Sequence, residues 1–193
     1  MGRVSGLPRG IRSGAMAEYT LKVAGLTRKL PICPLNDKLD IAAFIMFSDV
    51  ELTEACAEQL LAKCPGFDVI ITAESKGIPL AYEMARQSGK PYVVARKSVK
   101  LYMTDPISVN VKSITTAAEQ TLYLSKEKAE LLRGKKVLIV DDVISTGESL
   151  TALEKLTERA EGIISAKSAV LAEGDAADRT DIIFLEKLPL FFK

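Results

Sequence analysis

Lys136-Val-Leu-Ile-Val140 runs directly into Asp141-Asp142, and the chain continues Val143-Ile-Ser-Thr-Gly-Glu-Ser-Leu150. Four consecutive branched apolar residues predict a strand covered on both faces, as in a parallel sheet packed between helices. The two acids are expected to end that strand. From Ser149 to Ala160 apolar residues recur at helical spacing, and Gly162 stands just past the end, where a left-handed stop is common. Strand, acidic turn, small-residue loop and helix in this order point to an α/β fold.

The same alternation extends outward. Val50 to Lys63 has helical spacing and is stopped by Pro65-Gly66; Asp68 to Thr72 is a short β-rich run. Ile78 to Gln87 is helix-like, Ser88 to Pro91 closes it, and Tyr92 to Ala95 is a second buried strand, which together predict a parallel βαβ unit. Ile107 to Ile114 and Thr121 to Ser125 are β-prone with polar alternation around a small, polar stretch, which predicts an antiparallel flap with a mobile tip. Lys126 to Leu132 is a brief helix ending near Gly134, and Ala166 to Ala172 and Asp181 to Leu185 are further strands. The whole reads as a Rossmann-like, mostly parallel, doubly wound sheet with additions at both ends. The 193 residues suit one domain, expected over 16–193. Residues 1–15 lack periodic apolar pattern and read as a disordered leader, a cloning remnant or an upstream start, with Met16 the natural start.

Composition narrows the chemistry. There is no histidine, which excludes Ser-His-Asp and Cys-His catalysis and zinc sites of the usual type. Cys33, Cys56 and Cys64 form no CxxC pair, and an odd count argues against a disulfide framework, so a reduced, cytoplasmic setting is expected. No apolar run approaches the ~20 residues of a membrane span; the run Ile41 to Phe47 is broken by Ser48 and Asp49. Net charge is +1, and without Arg3, Arg9 and Arg12 the remaining 23 basic and 25 acidic residues leave the chain near −2, so neither nucleic acid nor membrane is an expected partner.

In open parallel sheets, ligands bind beyond the carboxyl ends of strands. Ser145-Thr146-Gly147-Glu148-Ser149 offers a phosphate monoester backbone amides, a helix N-terminus and hydroxyls. Gly147 allows close backbone approach or a positive φ. Asp141 and Asp142 accept only when ionised and repel each other, so they need donors or a cation; a ribose has two neighbouring hydroxyls. The segment therefore reads one molecule, a ribose 5-phosphate unit. The plain alternative is a strand ending in solvated acids before a capped helix.

This segment resembles the motif with which type I phosphoribosyltransferases bind 5-phosphoribosyl-1-pyrophosphate (PRPP): four apolar residues, two acids and a Thr-Gly loop, in that order. Glu148 stands where that family often has glycine. The likeness covers roughly Leu30 to Phe192. It implies that Asp141 and Asp142 hold the ribose and serve catalysis, and that Ser145 to Ser149 hold the 5-phosphate. Glu74-Ser75-Lys76-Gly77 is similar to the Glu-Ser-Arg-Gly pyrophosphate loop of adenine phosphoribosyltransferases; Lys76 keeps the charge but loses the bidentate fork. Lys76-Gly77-Ile78-Pro79 also looks like the PRPP domain of bacterial purine repressors. Arg96, Lys97 and Lys100 lie in a run similar to one beside the pyrophosphate in adenine and xanthine enzymes, and Thr104-Asp105 is like the xanthine enzymes. By the same resemblance, Val111 to Gln120 is the flexible flap, Leu30 to Asp37 the small hood, and Asp181 to Leu190 an ending like that of the adenine enzymes. The hood segment has no aromatic residue. Phe44, Phe47 and Tyr102 are candidate base-stacking partners, each read first as a packing residue. Adenine enzymes place a glutamate in the flap; Thr116 falls near that position and Glu119 three residues on, so no catalytic glutamate is assigned.

The resemblance implies an enzyme that transfers the phosphoribosyl group of PRPP to a purine base, adenine first, xanthine or hypoxanthine second. Magnesium would be held mainly through PRPP and pyrophosphate, with no metal assigned to protein side chains. An oxocarbenium-like transition state asks for positioning and charge neutralisation, not a covalent nucleophile. The rival of a different class is a non-catalytic PRPP sensor. About 30 residues precede the resembling region, too few for a winged-helix domain. Orotate enzymes usually carry a flap histidine, which this chain lacks. A homodimer is expected by analogy.

Overall fold

The structure, a computed structural model, describes residues 17–112 and 119–193. It opens with three antiparallel strands, β1 (Glu18–Val23), β2 (Leu26–Asn36) and β3 (Leu39–Ala42). Ala24 and Gly25 join the first two with φ of 53° and 76°, the left-handed pair that a two-residue hairpin requires. Helix α1 (Val50–Lys63) follows, its first turn capped by the Asp49 carboxylate, which accepts from the Leu52 N–H at 3.1 Å. Then come β4 (Val69–Ala73), α2 (Ile78–Ser88), β5 (Tyr92–Ala95), the hairpin β6 (Ile107–Lys112) and β7 (Glu119–Leu124), and α3 (Lys126–Leu132). The chain ends with β8 (Lys136–Ile144), α4 (Glu148–Arg159), β9 (Ile163–Glu173), a 3₁₀ turn at Gly174–Asp178, β10 (Ile183–Leu188) and β11 (Leu190–Phe192).

Five strands form the central sheet in the order β10-β9-β8-β4-β5, every pairing parallel. Alternate side chains serve two cores, as the two-residue period of a strand dictates. Val69, Ile71, Val137 and Ile139 face α4 and the β6–β7 hairpin. Ile70, Leu138 and Val140 face α1, α2 and the small sheet. The doubly wound α/β expectation holds, and the near-continuous apolar runs of β4 and β8 follow from burial on both faces.

Three features differ from the sequence reading. β8 does not stop at the acids: Asp141 pairs with Ala169, Val143 with Leu171 and Ile144 with Ala172, so neighbouring β9 carries the strand through them. α4 begins at Glu148 rather than Ser149, because Gly147, at φ 79°, turns the chain into the helix. The expected hood, Leu30 to Asp37, lies largely in β2 of a second sheet, β1-β2-β3-β11, closed by the pairing of β11 with β3. The flap is a hairpin at its base, where Ile107 pairs with Leu124; its expected mobile tip lies outside the described residues, as do residues 1–16.

Candidate active site

From β4 the chain steps outward to β5, whereas from β8 it steps the other way to β9 and β10. Between β4 and β8 the strand order reverses, and the loops leaving their carboxyl ends diverge and open a crevice. Both the Glu74–Gly77 segment and the diaspartate face it.

Asp142 is 3% exposed. Its buried Oδ2 accepts no hydrogen bond among the described residues and lies 3.4 Å from Lys76 Nζ. Its backbone N–H donates to Asp141 Oδ1 at 2.9 Å. Burial first, then the charge of Asp142, push the Asp141 carboxyl up to about 8, so below that pH the pair holds a proton. A cation or several donors would favour the fully ionised pair. Gly77 is required by this closeness: a Cβ there would collide with Thr72 Oγ1 and stand 3.2 Å from Asp141 Oδ1.

The Glu74–Ser75 peptide bond is cis. Glu74 accepts from the Lys97 backbone N–H at 3.0 Å and lies 3.5 Å from the Arg96 guanidinium. The Lys97 hydrogen bond, then the charges of Arg96, Lys100 and Lys97, hold its carboxyl below the ordinary range. The segment after β5 is thereby fastened to the segment after β4. A cleft of about 180 Å³ is lined by Glu74, Ser75, Lys76, Lys97, Asp141 and Asp142. Lys100 does not line it and donates instead to Ser98 Oγ at 2.7 Å.

A second cleft, about 140 Å³, lies between Asp141 and the loop Ser145 to Ser149 and shares Asp141 and Ser149 with the first. Gly147 heads α4, so this cleft opens on a helix N-terminus, where backbone amides and dipole favour an anion. Glu148 is half-buried in its wall. A third cleft, about 570 Å³, lies beyond Ser145, Thr146 and Glu148 and is bounded by Glu173, Arg179, Leu190 and Phe192. The sequence reading assigned nothing to this third space or to Arg179; the arginine sits among turn formers, where a surface role is the usual inference. Of the stacking candidates, Phe44 is buried in the core, whereas Phe47 and Tyr102 are 46% and 71% exposed. Thr116 lies outside the described residues.

Residues 52–186 match the family model of the phosphoribosyl transferase domain. The chain belongs to the phosphoribosyltransferase family. A hypoxanthine/guanine phosphoribosyltransferase of Methanothermococcus okinawensis is 36% identical over 111 residues, 58% of this chain and 57% of that one. The purine biosynthesis transcriptional repressor PurR of Bacillus subtilis is 32% identical over 111 residues, 58% of this chain and 38% of the repressor. The chain thus spans little more than half the length of the first of these relatives. The crystal structure of adenine phosphoribosyltransferase from Thermoanaerobacter pseudethanolicus shares its fold, with a TM-score of 0.66 over 82% of this chain and 95% of that one at 24% identity. The architecture is that of a type I phosphoribosyltransferase. No helix among the described residues is long and apolar enough to cross a membrane.

Proposed function

We propose that this phosphoribosyltransferase moves the phosphoribosyl group of PRPP onto a purine base and releases pyrophosphate. The observation that carries the reading is the pair Asp141 and Asp142 at the switch point, with an anion-accepting loop on either side. The buried, unbonded Asp142 Oδ2 is an acceptor that needs a donor, and the neighbouring hydroxyls of a ribose supply two. Ser145, Thr146, Gly147, Glu148 and Ser149 surround the 5-phosphate. Glu74, Ser75, Lys76 and Gly77, with Lys97, take the pyrophosphate end, and Arg96 holds Glu74 from behind. Magnesium arrives as part of the substrate, on PRPP.

In the reaction the bond from C1 to the pyrophosphate oxygen breaks, and its electron pair leaves with pyrophosphate. A ring nitrogen of the base donates the pair for the new C1–N bond, and its proton passes to the departing pyrophosphate or to solvent. Positive charge on the ribose is greatest between these events, and the Asp141–Asp142 pair, driven to full ionisation by the donors and cation that PRPP brings, stabilises it. The third cleft, with Leu190 and Phe192 as apolar walls and Glu173 and Arg179 as polar ones, is the space for the base.

Adenine is the first base, supported by the resemblance of Glu74 to Gly77 and of the chain ending to adenine enzymes. A 6-oxopurine is the second, supported by the likeness to hypoxanthine/guanine enzymes. Turnover with PRPP, magnesium and each of adenine, hypoxanthine, xanthine, guanine and orotate tests the proposal; nucleotide is expected from a purine, and none from any base rejects it. The likeness to PurR favours a second reading, a PRPP sensor, which specific DNA retention altered by PRPP would support. The proposal includes a homodimer, to be read from the sedimentation mass.

A further inference from the structure

The 3₁₀ turn after β9 delivers Arg179 to the back of the phosphate loop. Its Nε and Nη2 donate to Asp181 Oδ1 and Oδ2 at 2.9 and 2.7 Å, a two-pronged grip. Asp181 also accepts from Lys167 Nζ at 2.5 Å, and Lys167, on β9, donates to Glu154 of α4 at 2.7 Å. This chain of charges ties the turn both to the sheet and to the helix that the phosphate loop opens. It leaves one edge of the guanidinium uncommitted: Nη1 makes no hydrogen bond among the described residues and lies 3.0 Å from where a Cβ on Gly147 would stand. A rigidly held cation therefore faces the residue that starts the anion-binding helix. Arg179 also lines the third cleft together with Ser145 and Thr146 of the same loop.

We propose that Arg179 is a positioning residue for the 5-phosphate. Gripped by Asp181, it sets its Nη1 edge against Gly147, fixes the shape of the loop, and turns the positive end of the Arg179–Asp181 pair toward the bound phosphate. The inference rests on the PRPP reading and adds to it a residue outside the loop itself.

Titration calorimetry of folded wild type and R179Q with ribose 5-phosphate, and separately with pyrophosphate, tests it. R179Q is expected to weaken ribose 5-phosphate about tenfold while pyrophosphate, held at the other loop, changes less than about twofold. General damage to the fold would move both ligands together. Equal weakening of the two, or unchanged ribose 5-phosphate affinity, overturns the proposal. R179K keeps the charge and is expected to recover much of the loss; a loss equal to that of R179Q overturns the charge argument. Should R179Q not fold, R179K decides alone: ribose 5-phosphate weaker by about threefold with pyrophosphate unchanged supports the role, and equal loss of both overturns it. Wild type that binds neither ligand refutes the PRPP reading itself.

Discussion

Asp141 and Asp142 are adjacent carboxylates at the centre of a sheet, and burying them costs stability unless something neutralises them. The folded Asp141 carboxyl is raised from 3.8 to about 8, so across that window the folded state keeps a proton that the unfolded chain has released, and stability falls as pH rises. D141N removes this titration. The melting temperature of the ligand-free variant is expected to fall less between the ordinary aspartate range and mild alkali than that of wild type, as read by calorimetry at several pH values. An equal fall would show that Asp141 does not titrate in that range. Lys76 stands 3.4 Å from Asp142, within ion-pair distance. K76A is expected to weaken pyrophosphate by about tenfold and ribose 5-phosphate much less, measured by titration calorimetry.

At the level of elements, β8 and the two loops beside it do most to build the site. Gly77 is fixed by space: its missing Cβ makes room for Thr72 and Asp141. G77A is expected to destabilise the protein by about 2 kcal/mol or more in denaturant unfolding and to abolish PRPP binding; a stable, fully binding variant would show that the loop has another arrangement. Leu138 is wholly buried in β8, and L138A should cost about 2–5 kcal/mol of stability. Several elements were legible in the sequence. Tyr92–Ala95 and Lys126–Leu132 form as expected, the latter because Ser125 caps it, accepting from the Lys128 N–H at 3.4 Å. The continuation of β8 past the acids was not legible, since aspartate disfavours strands and it is the pairing with Ala169, Leu171 and Ala172 of β9 that holds it there. β2 contains Pro31 and Pro34, which obscure a strand, and the pairing of β3 with β11 joins the two ends of the domain, which no local pattern reveals.

For the whole molecule, the order of strands and helices was enough to set one loop after β4 and another after β8; the structure brings these loops to one crevice, with the two acids inside β8 rather than at its end. What could not be read was how distant segments approach one another: Lys97 clasping Glu74, Arg179 behind Gly147, and the third cleft beside Leu190 and Phe192. Those approaches also decide which base fits, which is why turnover across a panel of bases is informative where sequence is not. In the proposed function one crevice holds the whole of PRPP, the ribose on Asp141 and Asp142 and the two charged ends on the loops beside them. Titration calorimetry of PRPP with magnesium, comparing wild type with the D141N/D142N double variant, tests it most directly. Saturable binding by wild type that weakens by at least about a hundredfold in the double variant is the expected result; no heat from wild type, or equal affinity in both, would contradict it.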